Sequence, residues 1–388
     1  MYVLVIYAIL ACFLVGITLK EKSNTRRFEL ILSGIVMLIF LFRFNLGPDY
    51  GTYHFIFESV SNPIVDMFQA HALRNVGFAT LAFLSKSIVH SYPFFMFVCN
   101  FISIGLCGYT IYKYSDSILL STILFVGSGI VMIYLGSGLR QMLAMSLFFF
   151  AFYVFLRKKK YFKYELMVLL ACSFHEASVL GLLFPLIDLL LPHFEKYKKT
   201  YLIGCTIFSI GISIALVHIL PIIARFFGNG YSAITHVFSY FLEYPQISIM
   251  GLGMEVVFVM MIVGLYYFAD HLKLDPFVSL EMTITFALVF VYLMFMRYPI
   301  VSRICDFYQI IFLILIPRLW ASILDKNKKV LCLLGVLLLN AFLLYSDVNY
   351  TIALLNNSYG YTFNLMNFPY TSVFNQIKCN EYIQVLMK

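Results

Sequence analysis

The residues with the clearest chemical potential are an arginine and a histidine inside otherwise hydrophobic sequence. Arg140 follows a glycine-rich stretch and opens an apolar segment that ends in the basic run 157–160, and His175 lies one segment later. Ionisable groups at membrane depth are costly unless they face a partner or a polar cavity, so they often mark functional sites. We therefore interpret Arg140 and His175 as candidate catalytic residues.

Arg140 is predicted at the outward N-terminal end of its helix, next to Gln141. Backbone N–H groups and the positive end of the helix dipole would add to its charge, and Gly136 and Gly138 permit close approach of a ligand. A guanidinium binds phosphate oxygens in a bidentate manner. The pattern predicts a phosphate or pyrophosphate site that includes Gln141. The alternative is an interfacial arginine that only extends toward the lipid surface.

A second polar group follows the second apolar segment. Arg43 precedes the turn 47–51, in which Asp49 can pair with an arginine or accept a proton from a sugar hydroxyl. A local ion pair between Asp49 and Arg43 and a catalytic unit are equally good interpretations. Arg43 and Tyr50 are predicted to bind substrate.

His175 has two possible roles and one structural alternative. It can act as a base near neutral pH or bind an anionic oxygen when protonated, or it can be a core histidine with satisfied hydrogen bonds. Late in the chain, Arg297 and Arg303 are candidate pyrophosphate ligands. Arg303 can also pair with Asp306 along one helical face, since the two are three residues apart.

The composition excludes an ordinary soluble protein. Of the 388 residues, 62% are hydrophobic and only 12% are charged. The eight cysteines never have Cys-x-x-Cys spacing, so neither a disulfide framework nor a metal site is indicated. No Asp-x-Asp cluster is seen on the predicted outer side, and we predict no metal, no cofactor and no nucleic-acid partner. We expect membrane lipid to surround the protein.

Long apolar runs predict an all-α, polytopic transmembrane bundle of about ten spans. Residues 1–345 are predicted to form one membrane domain, and residues 346–388 a C-terminal periplasmic tail. The best topology puts 18 of the 27 Lys and Arg inside, of which 14 are Lys, whereas six of the nine outside are Arg. Lysines thus fit the topology, and the outer arginines fit recognition of a lipid phosphate.

Two stretches do not fit a simple span. Residues 75–91 are weakly apolar and contain Lys86, so they are predicted to be interfacial or re-entrant on the outer side. Residues 164–191 are too long for one span and short for two, which predicts a hairpin or two half-length helices turning near His175 and Glu176.

These same residues resemble the Wzy-type polysaccharide polymerases, in particular their EpsG-like branch. The resemblance rests on the order of four motifs over roughly residues 28–320: Arg-x-x-x-Gly-x-Asp-Tyr-x-x-Tyr at 43–53, Leu-Arg-Gln-x-Leu-Ala at 139–144, Phe-His-x-x-Ser at 174–178 and Arg-Ile-x-Asp-Phe-Tyr at 303–308. Residues 74–78, Arg-Asn-Val-Gly-Phe, depart from the Glu-Pro-Gly-Phe usual in such proteins.

The resemblance implies a multi-pass glycosyltransferase of the bacterial inner membrane with its active site facing the periplasm. Its donor and acceptor would be undecaprenyl-pyrophosphate-linked glycans, joined into O-antigen or a related surface polysaccharide, and a flippase and a chain-length regulator of the same pathway would be partners. Arg140 with Arg297 or Arg303 would hold the pyrophosphate, while His175 or Asp49 orients or deprotonates the acceptor.

A lipid-linked oligosaccharide flippase is the main alternative, because it would also present arginines to a pyrophosphate. A flippase is expected to show two related halves and polar residues at the midplane, and the sequence shows no internal repeat. A membrane acyltransferase is less favoured, since it would need a histidine facing a cytoplasmic donor.

Overall fold

The computed structural model describes residues 2–20, 25–43, 49–61, 76–130, 134–135, 138–197, 276–295, 304–305 and 307–359, with a few shorter pieces at 200–201, 203–209, 211–212, 215, 260, 264, 267 and 365. These residues are predominantly helical and contain no β-strand. The all-α prediction is therefore confirmed.

The helices α1 to α12 are defined by their residue ranges within the described part of the chain. They are α1 (Tyr2–Lys20), α2 (Arg26–Leu41), α3 (Tyr50–Ser59), α4 (Val76–Ile88), α5 (Tyr92–Tyr114), α6 (Ile118–Gly127), α7 (Leu139–Val154), α8 (Tyr161–Cys172), α9 (Phe184–Lys196), α10 (Pro276–Phe295), α11 (Phe312–Ala321) and α12 (Lys326–Tyr359). Short 3-10 helices cover Leu156–Lys158, Glu176–Leu183 and Gln309–Ile311.

Several of these helices can cross a membrane by length and composition. Among the described residues, five helical segments meet that requirement, and four shorter apolar helices of 10–17 residues accompany them. The five are Tyr2–Lys20, Tyr92–Tyr114, Leu139–Lys158, Glu176–Lys196 and Lys326–Ala353. They indicate a membrane protein, but they do not confirm the predicted number of about ten spans.

The chain divides into two compact units. Unit 1 comprises residues 1–182 and 312–388, and unit 2 comprises residues 183–311. In unit 1, α7 packs against α5 on one side and α8 on another, while α1, α2, α11 and α12 pack around α6. In unit 2, α9 packs on α10.

Basic residues gather at one end of unit 1, which we call the basic end. At the basic end, Arg26 at the start of α2 donates from Nη2 to the carbonyl oxygen of Tyr112 near the end of α5, at 2.9 Å. The guanidinium of Arg157, just beyond α7, lies over the ring of Tyr114, 5.6 Å from its centroid. The starts of α5 and α7 therefore lie at the other end of the unit.

The turn predicted within 164–191 is present at residues 173–175. Helix α8 ends at Cys172, and a 3-10 helix begins at Glu176. The hydroxyl of Tyr164 donates to the carbonyl oxygen of Gly181 at 2.8 Å, so the chain folds back on itself after the turn. A Cβ on Gly181 would also contact Val168 and Phe148, which explains a glycine at this close crossing.

Helix α4 covers most of the stretch 75–91, whose interfacial or re-entrant placement stays a prediction. It has 13 residues and is about 20 Å long, shorter than the hydrocarbon core of a bilayer. The ammonium of Lys86 donates to the carbonyl oxygens of Glu58 at 2.7 Å, Phe57 at 3.3 Å and Val60 at 3.4 Å. Lys86 therefore caps the C-terminus of α3, where backbone carbonyls have no intrahelical partner.

The last helix runs past the predicted domain boundary. Helix α12 contains 34 residues, from Lys326 to Tyr359, so the division between 345 and 346 falls inside one helix. The placement of residues 346–388 in the periplasm remains a prediction.

A buried carboxylate joins α2 to the start of α6. Glu29 accepts from the backbone N–H of Leu119 at 3.1 Å, the hydroxyl of Ser117 at 3.3 Å and the hydroxyl of Thr25 at 2.9 Å. The first N–H groups of a helix lack intrahelical acceptors, and an anion there also meets the positive end of the helix dipole. Glu29 thus acts as a capping residue supplied by a neighbouring helix.

We predict that Glu29→Ala destabilises the protein by about 1–3 kcal/mol, because it leaves buried donors at the start of α6 without an acceptor. Glu29→Gln retains an acceptor oxygen and should cost less. Thermal unfolding of the purified protein in detergent would measure both, with Glu195→Ala on the exposed surface of α9 as the control. A Glu29→Ala protein as stable as that control would contradict the capping role.

Candidate active site

The structure places five of the eight predicted site side chains, and all five belong to unit 1. Tyr50 is the first residue of α3, but its side chain is outside the described part, and Arg297 and Arg303 lie outside the described residues altogether. The placed residues are Arg43, Asp49, Arg140, Gln141 and His175.

Arg140 is the second residue of α7, as the sequence predicted. The helix begins after Gly138, where a Cβ would lie 2.7 Å from the ring of Tyr134, so only glycine allows the backbone to pass this ring closely. The Arg140 guanidinium lies over the ring of Tyr53, with its Cζ atom 5.5 Å from the ring centroid. This cation–π contact orients a half-buried cation at a helix N-terminus.

Tyr53 packs against a buried cluster of aromatic side chains. Its ring centroid lies 5.2 Å from that of Phe78, and the Phe78 ring lies 5.2 Å from that of Phe95. Tyr53 is only 4% exposed and both phenylalanines are fully buried. The ring beneath Arg140 is therefore fixed by α4 and α5.

His175 lies in the turn after α8, where its hydrogen bonds define which ring nitrogen carries the proton. The backbone N–H of Ala177 donates to His175 Nδ1 at 3.2 Å, and the hydroxyl of Ser178 donates to the His175 carbonyl oxygen at 2.9 Å. Because Nδ1 accepts, the neutral imidazole has its proton on Nε2. In this geometry His175 presents an N–H donor, which favours binding of an oxygen over the role of a base.

Two consecutive residues of α4 connect the His175 turn to the Arg140 region. Gly77 donates its backbone N–H to the carbonyl oxygen of Ser173 at 2.9 Å, and the next side chain, Phe78, packs against Tyr53. The segments around residues 53, 77, 140 and 175 therefore meet within unit 1. Sequence analysis did not single out this role of Gly77, because the contact joins residues almost a hundred positions apart.

Arg43 and Gln141 lie deeper than the prediction suggested. Arg43 is fully buried, and its carbonyl oxygen accepts from Nδ2 of Asn100 in α5 at 3.0 Å. Its guanidinium is also near enough to Tyr2 of α1 to interact with it electrostatically. Gln141 is buried as well. These two side chains are part of the helix packing, so direct substrate contact by them remains a prediction.

Asp49 occupies the N-cap position of α3 and is exposed. Its carbonyl oxygen accepts from the backbone N–H of Tyr53 at 3.0 Å, whereas its carboxylate does not cap the helix. A carboxylate so placed benefits from the helix dipole and is accessible from solvent. Its pairing with Arg43 and its catalytic role both stay predictions.

A polar cluster that sequence analysis missed joins α3 to the start of α5. The Glu58 carboxylate lies 3.7 Å from Nε2 of His54 and 3.0 Å from Nε2 of His90. The ring of His54 also meets the ring of Tyr92 edge-on, with 4.7 Å between centroids. The i, i+4 spacing of His54 and Glu58 was the available signal. The part of the chain that the structure describes contains no group of three ligands placed to hold a metal ion.

Two further buried ionisable residues were not singled out from the sequence. Glu281 in α10 of unit 2 is fully buried, and Arg318 in the last turn of α11 is 8% exposed. An acidic residue inside an apolar run, such as Glu281, is a signal that the sequence already carried.

The fold defines a helical membrane protein. Within unit 1, the region around Arg140 is joined to the turn that contains His175. The chain belongs to the EpsG family, a family of polysaccharide polymerases, whose model matches residues 26–372. The suggested resemblance is thereby confirmed, and the match extends beyond residue 320 into the segment that follows α12. Comparisons with curated proteins and with solved structures found no match.

The His54 cluster predicts an acid-dependent contribution to stability. Burial lowers the pKa of His54 below its usual value, and the neighbouring Glu58 carboxylate offsets this in part. A group with a depressed folded pKa contributes stability that is present above its unfolded pKa and lost as the pH falls through the folded pKa. Wild-type stability should therefore fall as the pH is lowered from about 6.5.

His54→Gln should remove part of this decline, measured as unfolding temperature between neutral and mildly acidic pH. His193→Gln, a substitution of an exposed histidine of α9, serves as the control. Parallel pH profiles for His54→Gln and wild type would contradict the prediction.

Proposed function

We propose that this protein is a membrane glycosyltransferase that polymerises undecaprenyl-pyrophosphate-linked oligosaccharide repeat units into O-antigen or a related surface polysaccharide. The reaction would take place at the periplasmic face of the bacterial inner membrane. The observation that carries the proposal is the convergence of Arg140 on Tyr53 with the His175 turn, through Gly77 and Phe78 of α4.

The orientation of unit 1 supports the periplasmic face. The basic run 157–160 follows α7 at one end, and Arg140 begins α7 at the other. Lysine-rich ends of membrane helices normally stay in the cytoplasm. The end with Arg140 and His175 would then face outward, where lipid-linked repeat units with an assembled glycan are joined.

The proposed reaction exchanges one bond for another at the anomeric carbon of the growing glycan. A hydroxyl oxygen of the incoming repeat unit forms the new glycosidic bond, and the bond from the anomeric carbon to the lipid pyrophosphate breaks. The pyrophosphate leaves with the electron pair, and the hydroxyl proton passes to a base. The transition state has oxocarbenium character, as in glycoside hydrolysis.

Three predicted residues have complementary roles in this scheme. Arg140, at the N-terminus of α7, binds the pyrophosphate as negative charge develops on it. His175 donates from Nε2 to a substrate oxygen, in keeping with the acceptor state of its Nδ1. Asp49 is exposed and is then the candidate base for the acceptor hydroxyl. Arg297 and Arg303 remain proposed pyrophosphate ligands.

Replacing Arg140 by lysine tests both the function and the site. Lysine keeps the charge but loses the planar fork that binds phosphate in a bidentate manner, so we predict about a 100-fold or greater loss of polymerisation. Arg157→Lys is a matched control, because Arg157 makes a similar cation–π contact at the basic end, 5.6 Å from Tyr114. The readout is the length distribution of surface polysaccharide in a deletion strain complemented with each variant at equal membrane abundance.

This length distribution, seen as a ladder of bands, distinguishes the proposed polymerase from the main alternative, a flippase. The proposal expects the deletion strain to carry single repeat units, wild type and Arg157→Lys to restore long chains, and Arg140→Lys to fail. Loss of even the single unit in the deletion strain would indicate a flippase. Equal ladders from the two arginine variants would remove Arg140 from the site.

His175 can be tested by two amides that separate its ring nitrogens. Gln places an N–H donor near the position of Nε2, whereas Asn places an acceptor near that of Nδ1 and preserves the bond from Ala177. We predict that His175→Gln keeps more polymerase activity than His175→Asn, and that His175→Asn keeps more thermal stability. If a base is required at this position, both variants will be equally inactive in a polymerisation assay with purified protein.

A further inference from the structure

We propose that Gly77 is a positioning residue that sets the His175 turn relative to Arg140. The inference rests on the proposed function, in which both residues contact substrate. Gly77 itself touches no substrate. It acts through the backbone of the turn and through the side chain that follows it in α4.

The first support is steric. A Cβ built on Gly77 would overlap the hydroxyl oxygen of Ser173 and would lie 3.0 Å and 3.1 Å from two ring carbons of Phe174. Real Cβ atoms essentially never approach another heavy atom as closely as this Cβ would approach the Ser173 hydroxyl, and the distances to Phe174 are tighter than most real Cβ contacts. A Cβ at residue 77 therefore requires the Ser173 hydroxyl, which donates to the carbonyl oxygen of Leu170 at 2.6 Å, to move and the Phe174 ring to shift slightly. Glycine lets the start of α4 seat against the turn without either movement.

The second support is a hydrogen bond between two helix ends. Gly77 is the second residue of α4, so its N–H has no acceptor within that helix, and Ser173 is the C-cap of α8, where carbonyl groups lack intrahelical donors. The 2.9 Å bond from Gly77 N to Ser173 O satisfies both groups. It also joins the positive end of one helix dipole to the negative end of the other.

The third support is the residue that follows. The Phe78 ring packs against Tyr53, and Tyr53 supports the Arg140 guanidinium. Two adjacent residues of α4 therefore make the two contacts. Gly77 contacts the turn that contains His175, and Phe78 contacts the Tyr53 ring over which Arg140 lies. A shift at Gly77 would change the separation of the two predicted catalytic groups without removing either one.

We expect Gly77→Ala to lower the turnover number of polymerisation by about 10- to 100-fold, because a displacement of about 1 Å suffices for such a loss. The KM for the lipid-linked substrate should change by less than about 2-fold, since the phosphate-binding groups remain intact. Ser173→Ala removes the hydroxyl that a new Cβ would meet first. The double variant Gly77→Ala/Ser173→Ala should therefore recover most of the turnover.

A matched control is available in α5. Gly105 is also a helical glycine, but a Cβ there would meet no atom within 4 Å. Gly105→Ala should keep wild-type turnover and abundance, with an unfolding temperature equal to or above that of wild type, because alanine favours a helix more than glycine does. Hydrogen–deuterium exchange supplies a readout independent of activity. The amide of residue 77 lies in the first turn of α4, so its protection from exchange reports the bond to Ser173. Gly77→Ala should lose this protection, and the double variant should regain it.

The outcomes separate this inference from the proposed function. Wild-type turnover in Gly77→Ala, or a loss that Ser173→Ala does not restore, would overturn the positioning role while leaving a functional polymerase. If wild type itself does not polymerise lipid-linked repeats, the proposed function fails. In that case unchanged protection at residue 77 in Gly77→Ala would overturn the positioning role, and loss with recovery in the double variant would support it.

Discussion

Where the ends of helices in this apolar protein are shielded from water, their backbone hydrogen bonds must be completed by other parts of the chain, because lipid supplies none. Three contacts in unit 1 satisfy this requirement in different ways. The Glu29 carboxylate accepts from the backbone N–H of Leu119 in the first turn of α6, the Lys86 ammonium donates to the last carbonyls of α3, and Gly77 joins the start of α4 to the end of α8. Each contact fixes the relative position of two helices, and together they hold the short helices α3, α4 and α6 that propensity alone would leave marginal.

The candidate site depends on the same short helices. Helix α3 carries Tyr53 beneath Arg140, and α4 carries the two residues that contact the Tyr53 ring and the His175 turn. Lys86 ties the far end of α4 to the end of α3, so these two helices are connected at both ends. The longer helix α7 provides the N-terminus on which Arg140 sits, while α3 and α4 determine where its side chain and the histidine turn meet.

Local sequence patterns predicted the helical class, the start of α7 at Arg140 and the turn at His175, because these depend on hydrophobic runs, glycines and ionisable residues in neighbouring positions. They did not predict that Arg43 is fully buried, that Lys86 caps α3 or that Gly77 contacts Ser173. Each of these depends on which distant segments pack together, which periodicity does not encode. Lys86 is instructive, since its charge suggested an interruption of a span, whereas its role is to complete another helix.

The two ends of α7 show that one interaction can serve different purposes. Arg140 and Arg157 each lie over a tyrosine ring at 5.5 Å and 5.6 Å, so the cation–π contact alone does not distinguish them. An aromatic ring contacts the flat face of a guanidinium and so orients it. The N–H groups in the plane of the guanidinium are the ones that bind phosphate in a bidentate manner. At Arg157 this occurs beside a run of lysines that suits the cytoplasmic surface. At Arg140 it occurs at a helix N-terminus that Gly77 and Phe78 connect to the turn of His175, whose Nδ1 accepts from Ala177. This combination gives Arg140 the stronger case for ligand binding.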